Sequence, residues 1–204
     1  MREPFRVLRA NLGPYLILSA VLYGILIIGF AVGMIFPEMH AERVETLETD
    51  GTLEEVSSLL GNVWLFAAGI LANNTLRVGL LSIAVPSMIV PFAGIAIFAY
   101  TSFESGVTLA ATGPDLFGVM APHLLTVAIE VQAYVLPSLG AYVLGRSWLF
   151  PTTVGAPNRR RGYLHGLKQF GWLSLPAIVL LIIGAIYEAV TLLYVVFPQM
   201  AGAS

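Results

Sequence analysis

Two carboxylates, Glu130 and Glu188, fall near the middle of long apolar stretches, where an ionisable group has no water to hold its charge. An acid at such a position costs about 3 kcal/mol on insertion scales, so each should face a bundle interior or a wet cavity. His123 precedes Glu130 by seven residues, almost the same helical face but about two turns away, so the two can share a polar seam without touching. A third polar group, Asn73-Asn74-Thr75-Leu76-Arg77, interrupts another apolar stretch. Two chemistries suit such residues. They can form a relay or a seam facing a proton, an ion or a substrate. They can equally tie neighbouring helices together, at about 0.6 kcal/mol per hydrogen bond.

Other chemistries are excluded by what is missing. There are no cysteines, so disulfides, thiolate catalysis and iron–sulfur ligation are out. The three histidines, His40, His123 and His165, fall in separate compartments of the expected topology, which leaves no histidine-built metal site. No HExxH, Gly-x-Ser-x-Gly or Walker A pattern occurs, and Asp50 and Asp115 both sit in expected loops, so paired intramembrane aspartates are absent. The sequence thus predicts no catalytic residues, no metal, no cofactor and no nucleic-acid partner. An enzyme is not expected.

The elements that must position these residues follow from composition. The chain has 204 residues, of which 57% are hydrophobic and 11% charged, with a mean hydropathy of +0.84. Soluble domains carry about 25% charged residues, so a wetted surface is out of reach. Apolar stretches of about 20 residues recur, each enough for some 30 Å of hydrocarbon. The expected fold is all-α and polytopic: one integral membrane domain of five transmembrane helices, over 14–36, 57–72, 78–100, 117–145 and 172–197. Five spans leave no room for a nucleotide-binding domain of usual size, so any ATPase must be a separate chain.

Charge sorting sets the orientation. Arg2, Arg6 and Arg9 repeat at i, i+4, i+7 opposite Phe5, Leu8 and Leu12, which predicts an interfacial helix over 1–13 held by anionic lipid. Residues 37–56 form an acidic loop, expected outside. The segment 57–72 either spans or lies along the interface, and Asn73–Arg77 is either a tight cytoplasmic turn or part of one long helix. With the turn at Arg77, nine of the ten basic residues are cytoplasmic, as the positive-inside rule asks. The basic loop 146–171 carries Arg146, Arg159, Arg160, Arg161 and Lys168. Arg161, His165 and Lys168 repeat the i, i+4, i+7 spacing, which predicts a second interfacial helix before the last span. Arg159–Arg161 reads as a topology determinant or a docking patch for a cytoplasmic partner. The N-terminus is expected inside a cell membrane and the C-terminus outside. Gly29 and Gly33 make a small-xxx-small packing face in the first span, and Pro86, Pro91, Pro137 and Pro176 are expected kinks within spans.

Several of these residues resemble a known family. Asn73-Asn74-Thr75-Leu76-Arg77-Val78 resembles the Asn-Asn-x-Arg-Val segment of the stage II sporulation protein M family. Pro122-His123 is similar to that family's Pro-His-Gly segment, with Leu124 in place of the glycine. Ala141–Gly145 and Ile186-Tyr187-Glu188-Ala189 resemble its later helices. The acid the family places four residues after the histidine stands here at seven, as Glu130, still on the same helical face. The resemblance spans nearly the whole chain. It implies an integral membrane component of a complex, with Asn73, Asn74, Arg77, His123 and Glu188 at the family's polar positions.

Two functions are compatible with these features. The first is a non-enzymatic scaffold or anchor for partner proteins, a subunit of a membrane complex. The second is the permease subunit of an ABC-type transporter, with a cytoplasmic ATPase as partner and two copies, a homodimer, needed to enclose a pathway.

Overall fold

In the computed structural model, which describes residues 2–49, 51, 58–110 and 122–198, the described residues are helical and contain no strand. The helices are α1 (Glu3–Ala10), α2 (Leu12–Ile35), α3 (Pro37–Thr49), α4 (Val63–Ile89), α5 (Ala93–Thr108), α6 (His123–Leu149) and α7 (Arg159–Val196). Four of them, α2, α4, α6 and α7, are long and apolar enough to cross a membrane. The expected all-α architecture is therefore present among the described residues, with four candidate spans. Its finer expectations need four corrections.

The turn expected at Asn73–Arg77 does not exist. The spans expected over 57–72 and 78–100 are replaced by one helix, α4, that passes straight through the pentapeptide and ends at Ile89. Within it, Asn73–Ala84 winds in the wider i→i+5 pattern of a π-helix, which recurs at functional sites. The chain reverses instead at Val90–Phe92. Pro91 drives the residue before it out of the helical region, and Val90 is extended at φ −127°, ψ 123°. Phe92 then adopts a left-handed φ of 67°. Pro91 is thus a turn residue rather than a kink. The segment that follows, α5, is only 16 residues long.

The other corrections concern the loops. Residues 37–49 of the expected acidic loop are helical, as α3, which meets α5 through a His40–Val107 carbonyl contact of 3.0 Å and an Arg43–Glu104 ion pair of 3.7 Å. The basic loop is shorter than expected. Helix α6 runs on to Leu149, a 3-10 turn follows at Pro151–Val154, and α7 already begins at Arg159. Asn158 caps it through a 3.0 Å bond from the Arg161 N–H to its side-chain oxygen. The separate helix expected before the last span is therefore the first three turns of α7 itself, held to α6 by Gly162 and Gly166. Finally, α1 packs through Val7 against Leu136, Leu139 and Leu173, while Phe5 and Leu12 of its expected apolar stripe stay exposed. The expected residues 50, 52–57 and 117–121 lie outside the described residues.

Glycine contacts fix how the helices lie. A Cβ on Gly29 would sit 2.2 Å from the Phe103 carbonyl oxygen, and one on Gly33 2.8 Å from that of Val107. The small-residue face of α2 therefore seats α5 in parallel, backbone against backbone. Helices α6 and α7 are antiparallel, with Gly140 on Phe170, Gly166 on Leu144 and Gly162 on Ser147. Helix α4 also opposes α7: Phe66 and Ala67 cluster with Ala189, whereas the Tyr163 hydroxyl donates to the Met88 carbonyl at 3.2 Å. One end of the bundle accordingly gathers α1, the α4–α5 reversal, the end of α6 and the start of α7.

Candidate functional site: a polar cluster between three helices

The antiparallel pairing of α6 and α7 brings Glu130 against Gly184, whose Cβ position is 3.5 Å from the Glu130 Cγ. Gly184 lies near the centre of the apolar run 172–197, so Glu130 sits level with the middle of that run. Glu188, one turn further along α7, lies within electrostatic reach of Glu130. From α4, the Asn74 amide donates to Glu130 Oε1. The Asn73 amide in turn donates to Asn74 Oδ1 at 3.3 Å. A chain of side-chain bonds running Asn73, Asn74, Glu130 thereby joins α4 to α6, with α7 packed against it through Gly184.

Asn74 is buried at 7% exposure while Asn73, its neighbour, faces outward. The buried surroundings are apolar: Ile83, Phe98, Val131, Tyr134 and Leu181 form the adjoining core. Tyr134 packs on Phe98 with ring centroids 4.9 Å apart and lies within electrostatic reach of both carboxyl groups. In such a medium a carboxyl group without partners is costly, and Asn74 supplies the hydrogen bond that offsets part of the penalty.

His123 and Arg77 do not join this chain. His123 opens α6, with its Nδ1 buried and unbonded, beside the Pro122 carbonyl that accepts from Tyr187 at 3.4 Å. Arg77 is exposed, on a face of α4 with Asn73, Leu76, Leu80 and Leu81, and makes no ion pair with any described carboxylate. A guanidinium at the centre of a lipid-facing helix costs about 2.5–3.5 kcal/mol on insertion scales.

The basic residues form a second, separate surface. Arg6, Arg146 and His165 line a cavity of about 290 Å³ together with Asn11, Ser147 and Gln169, at the end of the bundle that collects α1 and the ends of α6 and α7. Arg6 also pairs with Glu3. Arg2, Arg9, Arg159, Arg160, Arg161 and Lys168 are exposed at this same end. Arg146, His165 and Gln169 were not among the expected site residues. No sequence signal marks Gln169, whose Oε1 is buried without a partner. Tyr134 was likewise missed, since a tyrosine within an apolar run reads as core. Among the described residues no group of three histidines or acids could hold a metal.

No family model, curated protein or solved structure matches this chain.

Proposed function

We propose that this protein is a non-enzymatic multi-pass subunit of a membrane complex, a scaffold or anchor for partner proteins. The observation that carries the reading is that Glu130 is already engaged inside the bundle: it accepts from Asn74 of α4 and packs against Gly184 of α7, with Glu188 close by. An acid bonded and packed in this way ties α4 to α6 beside α7 rather than waiting for a substrate. Five crossings complete the topology, with α5 as the short fifth, because α2, α5 and α7 run one way and α4 and α6 the other. The basic end then lies in the cytosol, as the positive-inside rule requires, and the exposed Arg159–Arg161 and Lys168 face partners there. The resemblance of Asn73–Val78, Pro122-His123 and Ile186–Ala189 to the stage II sporulation protein M family supports the same role in a cell-membrane complex.

A permease subunit is the second reading. It is favoured by α1, which docks on the cytoplasmic ends of α6 and α7 beside the Arg6–Arg146–His165 cavity, where a separate ATPase could couple. Mild-detergent purification separates the two. A scaffold co-purifies with other membrane or envelope proteins, and Glu130→Gln and Glu188→Gln leave that association intact. A stoichiometric nucleotide-binding subunit, with transport abolished by the same variants, would replace the scaffold by the permease.

A further inference from the structure

Arg77 stands 14 residues from Val63 and 12 from Ile89, close to the middle of α4. With hydrocarbon extending about 15 Å to either side of the midplane, its Cα lies within a turn of the centre. Its level is fixed independently by Asn74, three residues earlier, which bonds to the mid-depth Glu130. Side chains on a helix tilt toward the N-terminal end, so Arg77 leans back toward that midplane rather than toward the nearer end at Ile89. Yet the residue faces outward, between exposed Leu76 (55%) and Leu81 (61%), with no described carboxylate as counter-ion.

A second copy does not supply the missing charge. Copies inserted in one orientation are related by an axis along the membrane normal, so equal residues meet at equal depth and Arg77 faces Arg77. The acids that this chain carries at that depth lie between its own helices, Glu130 bonded to Asn74 and packed on Gly184 and Glu188 beside it. We infer that the Asn73–Arg77–Leu81 face of α4 docks a transmembrane helix of a different protein that carries an aspartate or glutamate near its centre. The carboxylate pairs with the Arg77 guanidinium, Asn73 offers a flanking amide, and Leu76, Leu80 and Leu81 pack around the pair. Removing the charges from lipid is what makes the pairing specific. This inference rests on the proposed role as a complex subunit and names the chemistry of one partner.

The test uses the full chain in membranes of the cell it comes from, with a benzophenone amino acid at Leu80 and, as control, at the exposed Ile27 of α2. The expected result is an adduct from position 80, and not from 27, to one other membrane protein, at a peptide within an apolar helix containing an acid. Arg77→Leu should then lower co-isolation of that protein roughly tenfold or more. Arg77→Asp combined with an arginine in place of the partner's acid should restore it. Adducts only to lipid or to a second copy overturn the inference, as does a captured helix without an acid or an unchanged yield with Arg77→Leu. The purified Arg77→Leu chain should melt no lower than the parent. A large loss of stability would place the guanidinium's partner within this chain and also overturn it. A partner recovered through another surface leaves the subunit role standing while this inference falls; a chain that purifies alone under every condition removes both.

Discussion

Replacing Asn74 by leucine deletes the one described donor that α4 offers to Glu130 and leaves a half-buried carboxyl oxygen short of a partner. Interhelical side-chain bonds in membranes average about 0.6 kcal/mol and reach about 1.7. Stranding a buried acceptor costs about 1–3 kcal/mol. Because Asn74 is nearly fully buried and Glu130 keeps its contact with Glu188, a loss of about 1–2 kcal/mol is expected. Glu130→Gln is the informative contrast. Glutamine still accepts from Asn74 and donates an N–H toward Glu188, so its cost should stay below about 1 kcal/mol. Glu130→Leu strands both partners and should exceed it. The assay is reversible unfolding of the purified chain in mixed micelles, followed by the helical circular dichroism signal. Combining Asn74→Leu with Glu130→Leu should recover at least about 0.6 kcal/mol of coupling. Full additivity of the two substitutions, or a Glu130→Gln as damaging as Glu130→Leu, would refute the hydrogen-bonded cluster.

Gly106→Leu should separate α2 from α5, because a Cβ at Gly106 would lie 2.2 Å from the Leu26 carbonyl oxygen and backbone cannot yield to it. A loss of about 1–3 kcal/mol or more is expected in the same unfolding assay, whereas Gly13→Ala, with open space around it, should be tolerated. Asn158→Ala removes the cap of α7 and should lower stability by about 1 kcal/mol, visible as a lower melting temperature. Phe92→Gly relieves a left-handed backbone worth about 1–2 kcal/mol. It also removes a ring that packs on Tyr142 at 6.2 Å and covers Gly145, a loss of about 3 kcal/mol or more, so net destabilisation is expected.

The long helices were legible in the sequence because a lipid-facing helix is apolar all round and cannot be mistaken for loop. Gly29 and Gly33 were legible as a packing face because small residues recur at one-turn spacing. The turn was misplaced for a physical reason. Polarity at Asn73–Arg77 looks like a break when each residue is read alone, but Asn74 is bonded to an acid 56 positions away, which no local pattern reveals. In the sequence Pro91 looks like the other prolines within spans, Pro86, Pro137 and Pro176, yet of these four only Pro91 has its preceding residue outside the helical region. Pro137 and Pro176, by contrast, stay inside α6 and α7. Glu130 and Glu188 stood out singly; their meeting depends on the antiparallel seating of α6 on α7, set by Gly140, Gly162 and Gly166. The same pairing gathers Arg6, Arg146 and His165, whose separation along the chain hid them as a group.

Single cysteines placed at 76, 90 and 160 give the most direct test of this topology, since the natural chain has none to confuse the labelling. With a membrane-impermeant maleimide, the account predicts that positions 90 and 160 react from the cytoplasmic face only, and that position 76 is protected from both sides. Labelling of position 76 from the cytoplasm with position 90 protected would restore the turn at Asn73–Arg77 and contradict the mid-membrane placement of Arg77. Reaction of position 160 from the exterior would reverse the orientation on which the partner surfaces depend.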